Sequence, residues 1–176
     1  MKKLTTCLAA AALASPALAL PLTVTETTDF LGGQESIDPF TGLGDLGTGL
    51  NTITGSIIES DGDTVRFTLP AGLTVTDVSI TISNHVDSPR LPTNIGLLLV
   101  TPDTFAFPSQ SGNGSQSIIN GSFTTPGDYT FNIFHNGGID QASSDWQLDV
   151  TVVPEPASLA LLASGGLLIS RRRRRA

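Results

Sequence analysis

The 176-residue chain carries nine Lys and Arg against sixteen Asp and Glu, with 39% apolar and 14% charged residues. Its length is a prior for one domain; eighteen Gly and eleven Pro without a triplet period exclude collagen, and the apolar share excludes a wholly disordered chain. Most of the basic charge and much of the apolar content lie at the two ends, so the ends are read apart from the middle.

Met1-Lys2-Lys3 precedes an apolar and small-residue run over residues 4–18 that closes on Ala17-Leu18-Ala19. A basic start, a short apolar stretch and small residues at the cleavage positions predict a secretory signal peptide over residues 1–19, removed by signal peptidase. The stretch is too short for a mature membrane span. Cys7, the sole cysteine, falls within it, so the mature chain has no thiol.

Beyond residue 20 the apolar period is two rather than 3.6, the signal of half-buried strands. Weak strand candidates cover residues 22–27 and 51–58, while residues 30–49, with six Gly and one Pro, read as loop. Val65, Phe67 and Leu69 alternate with Thr64, Arg66 and Thr68 until Pro70-Ala71-Gly72 turns the chain. Val78, Ile80 and Ile82 then alternate with Ser79, Thr81 and Ser83, and the parity change between Val75 and Val78 predicts a bulge near Thr76-Asp77. The apolar run 97–100 is expected to be a strand covered on both faces. Residues 104–114 read as loop. Residues 118–124, then Tyr129, Phe131 and Ile133, then Trp146, Leu148, Val150 and Val152 complete about eight strands. The expected fold class is all-β: a single antiparallel β-sandwich of jelly-roll type over residues 20–152, flanked by two short hydrophobic targeting helices.

After Val153 come Pro154-Glu155-Pro156, an apolar run over residues 157–170, and Arg171, Arg172, Arg173, Arg174 and Arg175. As a helix the run would be about 21 Å long at 1.5 Å per residue, against a hydrocarbon core of about 30 Å. The arginines act as a stop-transfer cluster: they cannot cross, and they leave Pro-Glu-Pro near the outer surface of the membrane. Transient insertion followed by proteolysis is expected, with a permanent single-span anchor as the alternative.

This three-part tail over residues 153–176 closely resembles the PEP-CTERM sorting signal of Gram-negative, exopolysaccharide-producing bacteria. The resemblance implies recognition and removal by exosortase, an integral membrane protease-transpeptidase, with Pro154, Glu155 and Pro156 as the sorting motif. A second resemblance rests on Gly55-Ser56-Ile57, Asp61-Gly62-Asp63, Val65-Arg66-Phe67-Thr68-Leu69-Pro70-Ala71-Gly72, Thr125-Pro126-Gly127-Asp128-Tyr129 and Trp146-Gln147-Leu148-Asp149-Val150. In this order they look like the bacterial pre-peptidase C-terminal β-sandwich, an accessory module of secreted peptidases and surface proteins. Position 65 departs from that pattern by carrying Val where an aromatic-rich strand usually begins.

Between the two addresses lie two basic and fifteen acidic residues, a net charge of about −13. Such a domain repels phosphate backbones, so nucleic acid is excluded as a partner, and divalent cations are the natural counter-charge. No catalytic residue or cofactor is assigned. Only His85 and His135 could shuttle a proton near neutrality, no Gly-x-Ser-x-Gly elbow occurs, and His135, before Asn136-Gly137, reads as a loop-edge residue. No complete metal site is assigned either. Calcium would be sought at Asp61-Gly62-Asp63, but this lacks the later ligands of an EF-hand, and two aspartates beside Gly at a strand entrance are usually ordinary turn residues. Asn113-Gly114-Ser115 and Asn120-Gly121-Ser122 read as tight turns, and Trp146 and Tyr129 as core. The expected function is that of an exported, non-enzymatic cell-surface or exopolysaccharide-matrix protein. Its partners would be signal peptidase, exosortase and extracellular polysaccharide. A secreted carbohydrate-binding or small hydrolytic module is the alternative.

Overall fold

The computed structural model describes residues 19–32, 38–89, 92–119, 121–137 and 140–156. The two targeting helices, and with them Arg171 to Arg175, lie outside the described residues. Among the described residues no helix is long and apolar enough to cross a membrane.

Eleven strands are described: β1 Thr23–Thr25, β2 Thr41–Asp45, β3 Gly49–Ile58, β4 Gly62–Leu69, β5 Leu73–Val86, β6 Thr93–Val100, β7 Phe105–Ala106, β8 Ser109–Ser111, β9 Gly114–Ser117, β10 Gly127–Gly137 and β11 Ser143–Pro154. One sheet has the order β1-β3-β11-β5-β9, the other β2-β4-β10-β6-β7 with β8 also on β6. The long strands β10 and β11 are central, each paired antiparallel on both sides. The expected sandwich is therefore present, with one refinement: edge strands β1 and β2 run parallel to β3 and β4.

Period-two alternation explains the core. Ile53, Ile57, Val78, Ile80, Ile82, Trp146, Leu148 and Val150 face inward from one sheet, and Val65, Phe67, Leu69, Ile95, Leu97, Leu99, Tyr129, Phe131 and Ile133 from the other. Each such side chain stabilises the fold by roughly 1.5–3 kcal/mol on burial. Phe67 stacks on Tyr129 at 6.1 Å, and Trp146 sits between Phe30 at 5.9 Å and Phe131 at 6.2 Å. Trp146 and Tyr129 are thus core, as their phase predicts.

The bulge is where the parity change places it: Thr151 pairs with Asp77 and Val152 with Val75, leaving Thr76 as the extra residue. Other expectations need correction. The stretch 30–49 contains β2, whose pairing with β4 is secured by Arg66 lying 3.5 Å over the Phe40 ring, and 104–114 contains β7 and β8. Among the described residues of 118–124 none lies in a strand: Ile118 and Ile119 are buried, but only Phe123 makes a bridge, to Val75. Their apolar character comes from plugging one edge of the core rather than from a ladder. Leu98 and Val100 are half-buried, so β6 is covered fully on its inner face only.

Candidate functional site

The first site is carboxylate-rich. Glu26 follows β1, where its N–H donates to the Thr54 carbonyl at 2.9 Å and continues the pairing with β3. Its Oε1 accepts the Phe30 N–H at 2.9 Å and its Oε2 the Ser56 N–H at 2.7 Å. Phe30 is buried against Trp146, and the Leu31 carbonyl accepts the Thr64 N–H at 2.9 Å. A Cβ on Gly32 would stand 2.2 Å from the Gly62 carbonyl oxygen, so only Gly lets this segment close on the start of β4. The clasp brings Glu26 and Asp29 to Asp63, with one carboxylate oxygen from each within 4.8 Å of the others.

Asp63 is the inner member. It is fully buried; its Oδ2 accepts the Trp146 Nε1–H at 2.7 Å, while its Oδ1 is buried without a hydrogen-bond partner. Burial pushes the Asp63 carboxyl up to about 8, with Glu26, Asp61 and Asp29 adding and the Trp146 hydrogen bond opposing. Asp61 is also raised, by burial and then by the charge of Asp29. Outside Asp63 opens a cavity of about 550 Å³ lined by Glu26, Thr28, Asp29, Ser56, Ile58 and Asp61. Sequence inspection found Asp61 and Asp63 but missed Glu26 and Asp29. The only sequence sign of the latter is two acids three residues apart beside the buried Phe30.

The second site gathers both histidines. At the end of β5, Asn84 and His85 stand opposite the single residue Ser144, a second bulge eased by the left-handed φ of 51° at Asn84. It brings His85 Nδ1 to 2.9 Å from Ser144 Oγ, which also lies 3.0 Å from His135 Nε2. His135 Nδ1 is 3.0 Å from the Glu59 carbonyl, which can only accept, so Nδ1 carries the proton and neutral His135 accepts the Ser144 hydroxyl hydrogen at Nε2. His85 Nε2 reaches Asp87 Oδ1 at 3.1 Å. His135 is therefore no loop-edge residue: it is fully buried in β10. Burial lowers its pKa, the Glu59 carbonyl opposing and His85 adding. The chain Asp87, His85, Ser144 has the residue types of a hydrolase triad, but Ser144 is 2% exposed and does not line the carboxylate-rich cavity. Its evident work is to tie β5, β10 and β11 together.

The described part of the third site is the end of β11. Pro154 is its last residue, in register with Leu73, and the Glu155 N–H donates to the Gly72 carbonyl at 2.9 Å. The turn Pro70-Ala71-Gly72, with Gly72 at φ 81°, thereby docks the first half of Pro-Glu-Pro on the sandwich, while Pro156 is exposed. The sequence boundary at residue 153 therefore falls inside the strand.

A search of curated proteins found no match. Among solved structures, the chain is similar to the pre-peptidase C-terminal domain of collagenase from Bacillus anthracis, with a TM-score of 0.40 and 18% identity over 64% of this chain and 93% of that one. It is also similar to PliG, a periplasmic lysozyme inhibitor of g-type lysozyme from Salmonella Typhimurium, with a TM-score of 0.37 and 16% identity over 64% and 98%. Residues 152–175 match the PEP-CTERM protein-sorting motif. The chain thus carries the C-terminal signal of an exported protein that is processed by exosortase, a membrane protease.

Proposed function

We propose that this is a non-enzymatic cell-surface or exopolysaccharide-matrix protein: exported, held in the membrane by its tail, cut near Pro154-Glu155-Pro156 and released as a thiol-free acidic β-sandwich. The observation that carries the reading is the direct run of β11 into the sorting motif, which makes the sandwich itself the delivered cargo. The burial of Ser144 and His135 supports a non-catalytic role, since a nucleophile without access to solvent meets no substrate. Contact with polysaccharide is supported by a groove of about 360 Å³ on the outer face of the β3-β11-β5 sheet, where Thr54, Ser56, Thr81, Ser83, Asp145 and Gln147 offer hydroxyl, carboxylate and amide groups.

The test is the intact mass and location of the protein made in an exosortase-bearing host. Loss of about twenty residues from each end, with the product outside the membrane, is expected. Glu155→Ala should give an uncleaved, membrane-held form. An extracellular product that still carries Arg171 to Arg175 would overturn the processing claim.

A further inference from the structure

We propose that the end of the sandwich from which the tail leaves is a seat for the bilayer: while residues 157–170 hold the chain, the exposed side chains of Leu20, Leu50, Val153 and Phe105 rest among the headgroups of a zwitterionic lipid surface. The proposal rests on the reading that the tail inserts, and adds that the sandwich lies on the membrane rather than hanging free of it. Strand register puts the four residues at one end. Leu50 pairs with Thr151 and Val153 follows two residues later, so Leu50 and Val153 are diagonal neighbours, about 7–8 Å apart. Leu20 joins them, because the Thr48 N–H donates to the Ala19 carbonyl at 3.2 Å beside the start of β3. In the other sheet, Leu69 of β4 stands opposite Gly127 of β10 at this end, and the turn 70–72 carries the chain across to β5. The hairpin from β6 to β7 turns there too: the Thr101 N–H donates to the Thr104 carbonyl at 2.8 Å, and a Cβ on Gly127 would stand 3.1 Å from Pro102 Cγ. Phe105, 72% exposed, follows that turn. Isolated exposed apolar residues are ordinary on a protein surface; these share the end that the tail carries to the membrane.

Chain length leaves that end little freedom to stand off. Pro154 is the last residue of β11 and the Glu155 N–H is bonded to the Gly72 carbonyl, so Pro156 alone separates the sandwich from the apolar run that begins at Ala157. One extended residue spans about 3.5 Å, whereas the headgroup layer on each side of the hydrocarbon is about 5–8 Å thick. Hydrophobic mismatch acts in the same direction. A helix of about 21 Å is shorter than the hydrocarbon core of about 30 Å, and a short span is accommodated by thinning the bilayer around it, which brings both flanks closer to the hydrocarbon. Charge sets the lipid class. Arg66, the only Arg or Lys among the described residues, lies over Phe40, while Asp45, Asp103 and Glu155 stand at the tail end. Anionic headgroups are therefore repelled, and the contact is left to apolar side chains.

The chain from Leu20 onward has no cysteine, so single thiols can be placed in it at will. Leu50→Cys, Phe105→Cys, Ile58→Cys and Ala163→Cys would each carry a fluorophore on residues 20–176 reconstituted in phosphatidylcholine vesicles. Ile58 is the control: eight residues of β3 separate it from Leu50, about 27 Å at ~3.4 Å per residue. Phosphatidylcholine with a nitroxide on its headgroup should quench the labels at positions 50 and 105 at least threefold more than the label at 58, and an acyl-chain nitroxide should quench the label at 163. Replacing a third of the lipid with phosphatidylglycerol should lower the quenching at 50 and 105. Quenching at 163 with positions 50 and 105 no closer to the headgroups than 58 would overturn the seat and leave the inserted tail standing. Quenching at only one of positions 50 and 105 would also overturn it, since the end would then not lie on the bilayer, and a rise with phosphatidylglycerol would overturn its zwitterionic character. A label at 163 untouched by the acyl-chain nitroxide would overturn the insertion itself and the seat with it.

Discussion

Two buried titratable residues give the sandwich opposite responses to pH. Folded Asp63 keeps its proton up to about pH 8, whereas in the unfolded chain it gives the proton up near 3.8. Between those values the native state binds more protons, so stability falls as pH rises through this window and levels off above it. In chelator, thermal unfolding of Asp63→Asn should therefore depend less steeply on pH between 4 and 8 than the wild type; Asp61, raised in the same sense, leaves a residual slope. Equal slopes in the two proteins would refute the account. His135 acts the other way. Its folded pKa lies below 6.5, so its contribution is present above that value and is lost as pH falls through the folded pKa. His135→Gln should flatten the acid limb while leaving the slope near pH 8 untouched, which separates the two residues in one series of melting curves.

At the scale of elements, close packing of β3 on β11 explains why one inward position holds no side chain. Gly55 is in register with Trp146, and a Cβ there would stand 2.6 Å from the indole Cζ2. The ring cannot retreat without breaking its hydrogen bond to Asp63 and its contacts with Phe30 and Phe131. Gly55→Ala should therefore destabilise the protein by about 1–3 kcal/mol through overpacking, read as a lower thermal midpoint with altered Trp146 emission; an unchanged midpoint would mean that the indole has room to move. The same elements show what a sequence can reveal. Strands with one buried face announce themselves by alternation, and the slip at Thr76 was legible because a bulge must change parity. The segment around Ile118 misled because buried apolar residues need not belong to a ladder. β2 went unseen because an edge strand rich in Gly hides its pattern. Half of the acidic site was legible for the same local reason: Asp61 and Asp63 share one turn, whereas Glu26 and Asp29 meet them only through the clasp over Gly32 and Gly62. His135 looked like a turn residue beside Asn136-Gly137, yet the phase of Tyr129, Phe131 and Ile133, extended one step further, points it inward.

For the molecule as a whole, the placement of the sorting signal must let export and folding coexist. β11 is the central strand of its sheet, paired to β3 and β5 along its length, so an address attached there could have endangered the fold when removed. The pairing ends at Pro154, and among the described residues the Glu155 N–H to the Gly72 carbonyl is the final hydrogen bond between tail and sandwich. Cleavage beyond Pro156 therefore removes nothing from either described sheet, whereas cleavage inside β11 strips backbone partners from two neighbours at once. A chain ending at residue 156 should unfold at the same temperature as the full chain in detergent. One ending at residue 148 loses Val150 and Val152 from the core and the outer half of the central ladder, and should fail to give a cooperative transition. A stable product of the shorter truncation would show that the far end of β11 is dispensable, and a destabilised product of the longer one would place part of the sandwich's support in the tail.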